Sequence, residues 1–147
     1  TKDLATTAML MSEGEMIESR LEISEDVTFD DYLKVIEYKT ATAFEVAARI
    51  GAIIANGSEE EIEALTEYGK NIGIAYQIRD DLFDWKNEDK LFNLLIKKSS
   101  DPRDVFNKME ELLKKYSDKA RASLRKISDN DAKMNLDNLI KFTTFKA

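Results

Sequence analysis

The scarcity of helix-breaking residues constrains the fold of this chain more than any other feature. Its 147 residues include one Pro and five Gly, so there are few points at which a helix has to end. Apolar residues recur at helical spacing between charged ones over long stretches. The sequence therefore predicts an all-α fold, as a single domain over residues 1–147, with helices at 2–22, 29–56, 59–86, 102–127 and 130–145.

Helix-start signals fall where this division needs them. Thr28 is followed by Asp31, and Ser58 by Glu61, two pairs at the spacing of a capping box. Asp101 stands directly before the single Pro, a typical cap followed by Pro at the first helical position. These signals predict the starts of the second, third and fourth helices.

The second predicted helix is the most apolar segment of the chain. Steps of three and four along it predict an inward stripe made of Ile36, Thr40, Ala43, Ala47, Ile50 and Ile54. Residues 86–101 differ in character, and we interpret them as a polar linker that runs into an apolar turn at 91–96. Beyond this linker, the Lys- and Glu-rich pattern of residues 105–145 predicts amphipathic helices that cover a core.

The composition excludes several classes of chemistry. The chain contains no His and no Cys, which rules out imidazole bases, thiolate nucleophiles and His/Cys zinc sites. The net charge of −7 argues against nucleic acid as a partner. No apolar run approaches the roughly 20 residues of a spanning helix, and no signal peptide is visible, so we expect a cytoplasmic protein without a transmembrane segment.

An acidic cluster ends the third predicted helix. Asp80 and Asp84 are four residues apart and share a helix face, with Asp81 about 100° round the axis. Carboxylates one turn apart repel each other unless a cation lies between them, and Mg²⁺ is commonly held by one or two carboxylates plus substrate phosphates. A solvated charge run is the alternative, although the apolar neighbours Leu82 and Phe83 favour the end of a buried helix.

Three further polar side chains interrupt apolar stretches. Lys39 and Thr40 lie inside the Ala-rich second helix, and Gln77 lies one turn before the acidic cluster. By itself Lys39 is equally compatible with a lysine whose ammonium extends to solvent, and Gln77 with a buried amide bonded to a neighbouring helix. The residues alone leave these alternatives open.

Taken in order, these segments resemble the C-terminal half of the trans-isoprenyl diphosphate synthases, the polyprenyl synthetase family. The resemblance rests on Lys39-Thr40-Ala41, Gly51-Ala52, Glu67-Tyr68-Gly69 with Gly73, and Tyr76-Gln77-Ile78 with Asp80, Asp81 and Asp84. Upstream, Ser12-Glu13-Gly14-Glu15 resembles a segment of the same family. The match spans residues 1 to about 90.

The resemblance implies a helical bundle around a deep cavity, and a Mg²⁺-dependent prenyltransferase that joins isopentenyl diphosphate to an allylic diphosphate. It assigns Asp80, Asp81 and Asp84 to Mg²⁺ binding and Lys39, Thr40 and Gln77 to the allylic diphosphate. Lys39, Asp80 and Asp81 would be the catalytic residues. It also implies a homodimer and a product of short to medium chain length, of the farnesyl or geranylgeranyl type.

Two features of the family are missing from this chain. The first Asp-rich motif and the Arg pair after it are absent, and we expect a flap segment that follows the second motif to be deleted near residues 90 and 91. We therefore expect the chain to be part of a longer protein, completed by an N-terminal half or a second chain, and to be inactive by itself. A non-catalytic subunit of a prenyl synthase and a helical interaction module are the alternative interpretations.

Overall fold

The computed structural model describes residues 2–86 and 90–144, and within them every regular element is helical, as predicted. The helices are α1 (Lys2–Ser24), α2 (Phe29–Ile36), α3 (Thr42–Ile54), α4 (Glu59–Asp84), α5 (Lys90–Lys98), α6 (Pro102–Leu124) and α7 (Asp131–Thr144). One π-helical turn, Glu37–Ala41, joins α2 to α3 without a break. The predicted helix at 29–56 is thus one continuous segment that contains a π turn.

The helix starts agree with the capping signals. Thr28 accepts a hydrogen bond from the amide of Asp31, whose carboxylate accepts one from the amide of Thr28 in return. Ser58 caps α4 through the amide of Glu61, at 3.1 Å. Local sequence therefore decides where these helices begin.

The interpretation of residues 86–101 as a linker and an apolar turn was wrong for residues 90–98, which form α5. Its apolar residues Leu91, Phe92 and Leu95 are buried in the main core. The segment is a short amphipathic helix, and its apolar run is explained by a single buried face. Residues 87–89 lie outside the described part of the chain, so the expected loss of a flap beside them stays a prediction.

Helix α4 is central to the bundle, with α3 packed on one side and α6 on another. Two glycines of α4 make room for α3. A Cβ atom at Gly69 would lie 2.5 Å from the carbonyl oxygen of Phe44, and one at Gly73 would lie 2.8 Å from the Cα of Ala41. The backbones of α3 and α4 can approach this closely only because both positions lack side chains.

The predicted inward stripe of the second helix was wrong at Ala47 and Ile54, whereas Thr40 does face α4. Ile36 is buried, but Ala47 is exposed and Ile54 is 77% exposed. The residues that face α4 also include Ala41, Phe44 and Ala48, each one position later than a residue of the predicted stripe. The π turn explains the offset, because a π-helix closes its hydrogen bonds over one residue more than an α-helix.

Helices α3 and α1 both expose apolar side chains. Ile53 and Ile54 are exposed on α3, and α1 exposes Met9 and Met16. None of the helices in residues 2–86 and 90–144 has the combination of length and apolar character that crossing a bilayer requires.

Candidate active site

Lys39 lies in the π turn, and its ammonium is directed to α1. Nζ forms an ion pair with Glu18 and a second one with Glu15, at 3.2 Å from Oε1. Burial by itself would lower the pKa of Lys39, but the hydrogen bonds and attraction of Glu18 and Glu15 outweigh it, so the pKa is raised. Lys39 is therefore a firmly charged ammonium, 27% exposed, with two carboxylates as its present partners.

Gly14 explains how α1 reaches the π turn. A Cβ atom at this buried glycine would lie 2.8 Å from Cγ of Lys39 and 2.9 Å from Cβ of Tyr38. Any side chain at position 14 would push α1 outward and separate Glu15 and Glu18 from Lys39. The absence of a side chain at Gly14 thus allows Glu15 and Glu18 to reach the ammonium of Lys39.

A chain of hydrogen bonds joins the π turn to the acidic end of α4. Thr40 Oγ1 donates to Oε1 of Gln77 at 3.0 Å, and Nε2 of Gln77 donates to Oδ1 of Asp81 at 2.8 Å. The hydroxyl of Tyr32 on α2 donates to Oδ2 of Asp81. Three of the predicted site residues, Thr40, Gln77 and Asp81, are therefore in direct contact, and Tyr32 belongs to the same cluster.

The three aspartates of the cluster differ in exposure. Asp81 is 5% exposed and is engaged by donors from the interior, whereas Asp80 is half-buried and Asp84 is exposed. Across residues 2–86 and 90–144, no three acidic side chains converge closely enough to form a metal cage. The structure therefore separates Asp81 from the other two, which lie one turn apart at the surface.

The donor set at Asp80 and Asp84 nevertheless fits half of a Mg²⁺ site. The last turn of α4 holds these carboxylates and no basic residue, although negative charge at a helix C-terminus opposes the helix dipole. A cation bound there would relieve both the dipole and the mutual repulsion. Two carboxylates, with the remaining ligands from water and phosphate, is a common arrangement for Mg²⁺.

A cavity in the described part of the chain lies elsewhere, between the end of α4 and helices α6 and α7. It measures about 750 Å³, and none of the predicted site residues lines it. Its walls include Arg79, whose guanidinium stacks between Phe83 and Phe142 at 4.5 and 4.3 Å from the ring centroids. This cavity therefore does not mark the candidate site.

Sequence reasoning missed Glu15, Glu18 and Tyr32. Glu15 follows the glycine of the Ser12–Glu15 segment and Glu18 lies one turn further, so their proximity to Lys39 required the packing of α1. Tyr32 lies seven residues before Lys39, on the same continuous helix. This spacing places Tyr32 near the candidate site only if the helix contains the π turn, which the sequence pattern did not reveal.

The sequence is similar to known proteins over most of its length. The family model described as polyprenyl synthetase matches residues 1–125. A geranylfarnesyl diphosphate synthase of Natronomonas pharaonis is 44% identical over 82 residues, which are 56% of this chain and 24% of that protein. A geranylgeranyl diphosphate synthase of Methanosarcina mazei is 40% identical over 81 residues, 55% of this chain and 25% of that protein.

Solved structures match nearly the whole chain. A geranyltranstransferase from Methanosarcina mazei superposes with a TM-score of 0.82 and 27% identity, over 97% of this chain and 51% of that one. A polyprenyl synthase from Caulobacter crescentus, solved with calcium and isoprenyl diphosphate, gives 0.80 and 27%, over 99% and 57%. The chain thus spans about a quarter of the length of these curated relatives and just over half of these solved chains.

Proposed function

This chain belongs to the polyprenyl synthetase family, and we propose that it forms the C-terminal half of a prenyl diphosphate synthase. The observation that carries the proposal is the cluster at the end of α4. A charged Lys39 and the bonded set of Thr40, Gln77 and Asp81 come together from segments 37 residues apart in sequence. The family resemblance assigns Lys39, Thr40 and Gln77 to the diphosphate of the allylic substrate, and Asp81 to Mg²⁺ binding.

The proposed reaction joins an allylic diphosphate to isopentenyl diphosphate. The allylic C–O bond breaks and pyrophosphate leaves, the alkene of isopentenyl diphosphate attacks the resulting cation, and loss of a proton restores a double bond. Stabilisation of the departing negative charge is the main catalytic requirement. No nucleophilic side chain is needed, which agrees with a sequence that lacks His and Cys.

Lys39 would hold the diphosphate through a charge-assisted contact. To do so, its ammonium exchanges Glu15 and Glu18 for phosphate oxygens, and its raised pKa keeps it charged through that exchange. Thr40 follows Lys39 in sequence and is bonded to Gln77, and these two side chains would orient the same diphosphate. Mg²⁺ held by Asp80 and Asp84, with Asp81 behind them, would supply further neutralisation of the leaving pyrophosphate.

The proposal includes an N-terminal half or partner chain that this sequence does not contain. Coverage of just over half of the solved relatives and the exposed apolar flank of α1 and α3 both support it. An allylic cation has to be shielded from water, and this flank offers one wall only. A homodimer in the cytoplasm, and a product of geranylgeranyl or geranylfarnesyl type as in the relatives, belong to the same proposal.

The test compares the complete protein with residues 1–147 alone. Purified complete protein, incubated with isopentenyl diphosphate, an allylic diphosphate and Mg²⁺, is expected to release pyrophosphate and form an elongated prenyl diphosphate. Residues 1–147 alone are expected to form none, and intact-mass measurement verifies which species is present. Prenyl transfer by a single 16.8 kDa species would overturn the requirement for a second half. An inactive complete protein would overturn the proposed function.

A further inference from the structure

Tyr32 is a fully buried residue with one polar atom, and that atom is bonded to a member of the candidate site. Its hydroxyl donates to Oδ2 of Asp81, while Gln77 donates to Oδ1 of the same carboxylate. A buried carboxylate is costly unless donors satisfy it, so these two bonds help to fix the position of the Asp81 side chain. Tyr32 comes from α2 and Gln77 from α4, so the carboxylate joins two helices.

The π turn gives this arrangement a second anchor. Thr40 lies eight residues after Tyr32, and eight residues of α-helix would turn the chain about 80° beyond two full turns. The wider π turn between them takes back part of this rotation and returns Thr40 to the side of Tyr32. Both ends of the segment therefore contact neighbouring residues of α4: Tyr32 bonds to Asp81, and Thr40 bonds to Gln77.

The result is a closed set of contacts, which we call the Tyr32 bracket: Tyr32 to Asp81, Asp81 to Gln77, and Gln77 to Thr40. In sequence, Lys39 directly precedes Thr40 at one end of the bracket, and Asp80 directly precedes Asp81 at its centre. The bracket fixes the π turn and the acidic end of α4 relative to each other. The donors of the bracket, Tyr32, Gln77 and Thr40, are neutral, and their bonds within the bracket do not involve Asp80 or Asp84.

We propose that Tyr32 is a positioning residue of the diphosphate site. This inference rests on the proposed function and extends it to a residue outside the diphosphate-binding set. Through Asp81, Tyr32 holds Asp80 and Asp84 in register with Lys39, so that one diphosphate and its Mg²⁺ meet all three charges. Loss of the hydroxyl removes one of the donors that fix Asp81, and the spacing between Lys39 and the aspartates is then no longer held.

The test is Tyr32→Phe in the complete protein, with Tyr68→Phe as a matched control. Tyr68 is likewise buried and donates its hydroxyl bond to a backbone carbonyl, that of Leu136 on α7, at 2.9 Å. Both substitutions delete one buried tyrosine hydroxyl and keep the ring. Inorganic pyrophosphate is titrated into each protein with and without Mg²⁺ by calorimetry, at a temperature where circular dichroism shows all three proteins helical.

We expect Tyr32→Phe to weaken Mg²⁺-dependent pyrophosphate binding about tenfold, the effect of one hydrogen bond to a charged group. Tyr68→Phe is expected to bind as the wild type does, although thermal unfolding begins at a lower temperature in both variants. Equal pyrophosphate binding by Tyr32→Phe and wild type would overturn the inference and leave the proposed function intact. A wild-type protein that shows no Mg²⁺-dependent binding would overturn the proposed function, and this inference with it.

Discussion

Replacement of Lys39 by Met separates the two interpretations of this residue. Met keeps the aliphatic stem, including the Cγ atom that packs over Gly14, and removes only the charge. If Lys39 serves the fold alone, its loss affects stability and nothing else. If it binds a diphosphate, its loss weakens anion affinity as well as stability.

The loss of stability in Lys39→Met is limited because solvent screens the ion pairs of Lys39. The Lys39 side chain is 27% exposed, and of its two partners Glu15 is largely exposed while Glu18 is not. Exposed ion pairs contribute up to about 1 kcal/mol, and a partly buried carboxylate that loses its partner adds about 1 kcal/mol more. We expect Lys39→Met to lower the free energy of unfolding by about 1 to 2 kcal/mol.

The expected cost for anion binding is about as large as the cost in stability. A hydrogen bond to a charged group is worth about 1.5–3 kcal/mol. The diphosphate first has to displace Glu15 and Glu18 from the ammonium, which moves the expected loss to the lower end of that range. That loss corresponds to a dissociation constant for pyrophosphate about tenfold higher.

Lys70→Met is the matched control. Lys70 also pairs with a glutamate, Glu37, at 3.0 Å, and its side chain is 35% exposed. The assay is calorimetric titration of the complete protein with Mg²⁺ and pyrophosphate, beside urea unfolding of the same variants. Lys70→Met should lose up to about 1 kcal/mol of stability and bind pyrophosphate normally. Indistinguishable pyrophosphate affinities for Lys39→Met, Lys70→Met and wild type would refute the reasoning.

Three further predictions follow from the site and its packing. Asp80→Ala should lower prenyl transfer by orders of magnitude and leave helical circular dichroism unchanged; near-normal turnover would remove Asp80 from the metal site. Burial raises the pKa of Glu45 above its ordinary value of 4.5, so the folded state retains this proton to higher pH than the unfolded state does, and stability declines as pH rises through that window. Glu45→Gln should flatten this decline in thermal melts between pH 4.5 and neutrality, and an unaltered pH profile would contradict the assignment. Gly73→Ala should destabilise the fold by about 1–3 kcal/mol despite the better helix propensity of Ala, because its Cβ atom would lie 2.8 Å from the Cα of Ala41 in the π turn. A stabilised variant in urea unfolding would show that the π turn moves aside freely.

Local sequence was sufficient for the helical class and for most helix starts. Thr28 and Ser58 cap their helices within a few residues of themselves, so no tertiary information is needed to place them. The order and spacing of the Lys39, Gln77 and Asp80 segments indicated the family, which the match over residues 1–125 confirms. Their roles in binding stay predictions.

The sequence also determined which residue types meet at the candidate site, but not which of them are buried and which are exposed. Asp80, Asp81 and Asp84 are equivalent as a string of letters. Only the packing of α2 against α4 directs Asp81 to Tyr32 and leaves Asp84 at the surface. The reason is that burial of a residue depends on which helix packs against its face. The local sequence pattern does not specify which helix that is.

The buried side of the second predicted helix shows most clearly the difference between what the sequence determined and what packing decided. Apolar spacing predicted a continuous α-helix whose stripe would include Ala47 and Ile54, and both are exposed. The π turn at Glu37–Ala41 moves the buried side one residue along the chain. A π turn gains little from local propensity, and here it is accompanied by contacts with α1 and with Gln77 of α4. The sequence by itself determined that this segment is helical, and tertiary packing decided which of its sides faces the core and where Lys39 is directed.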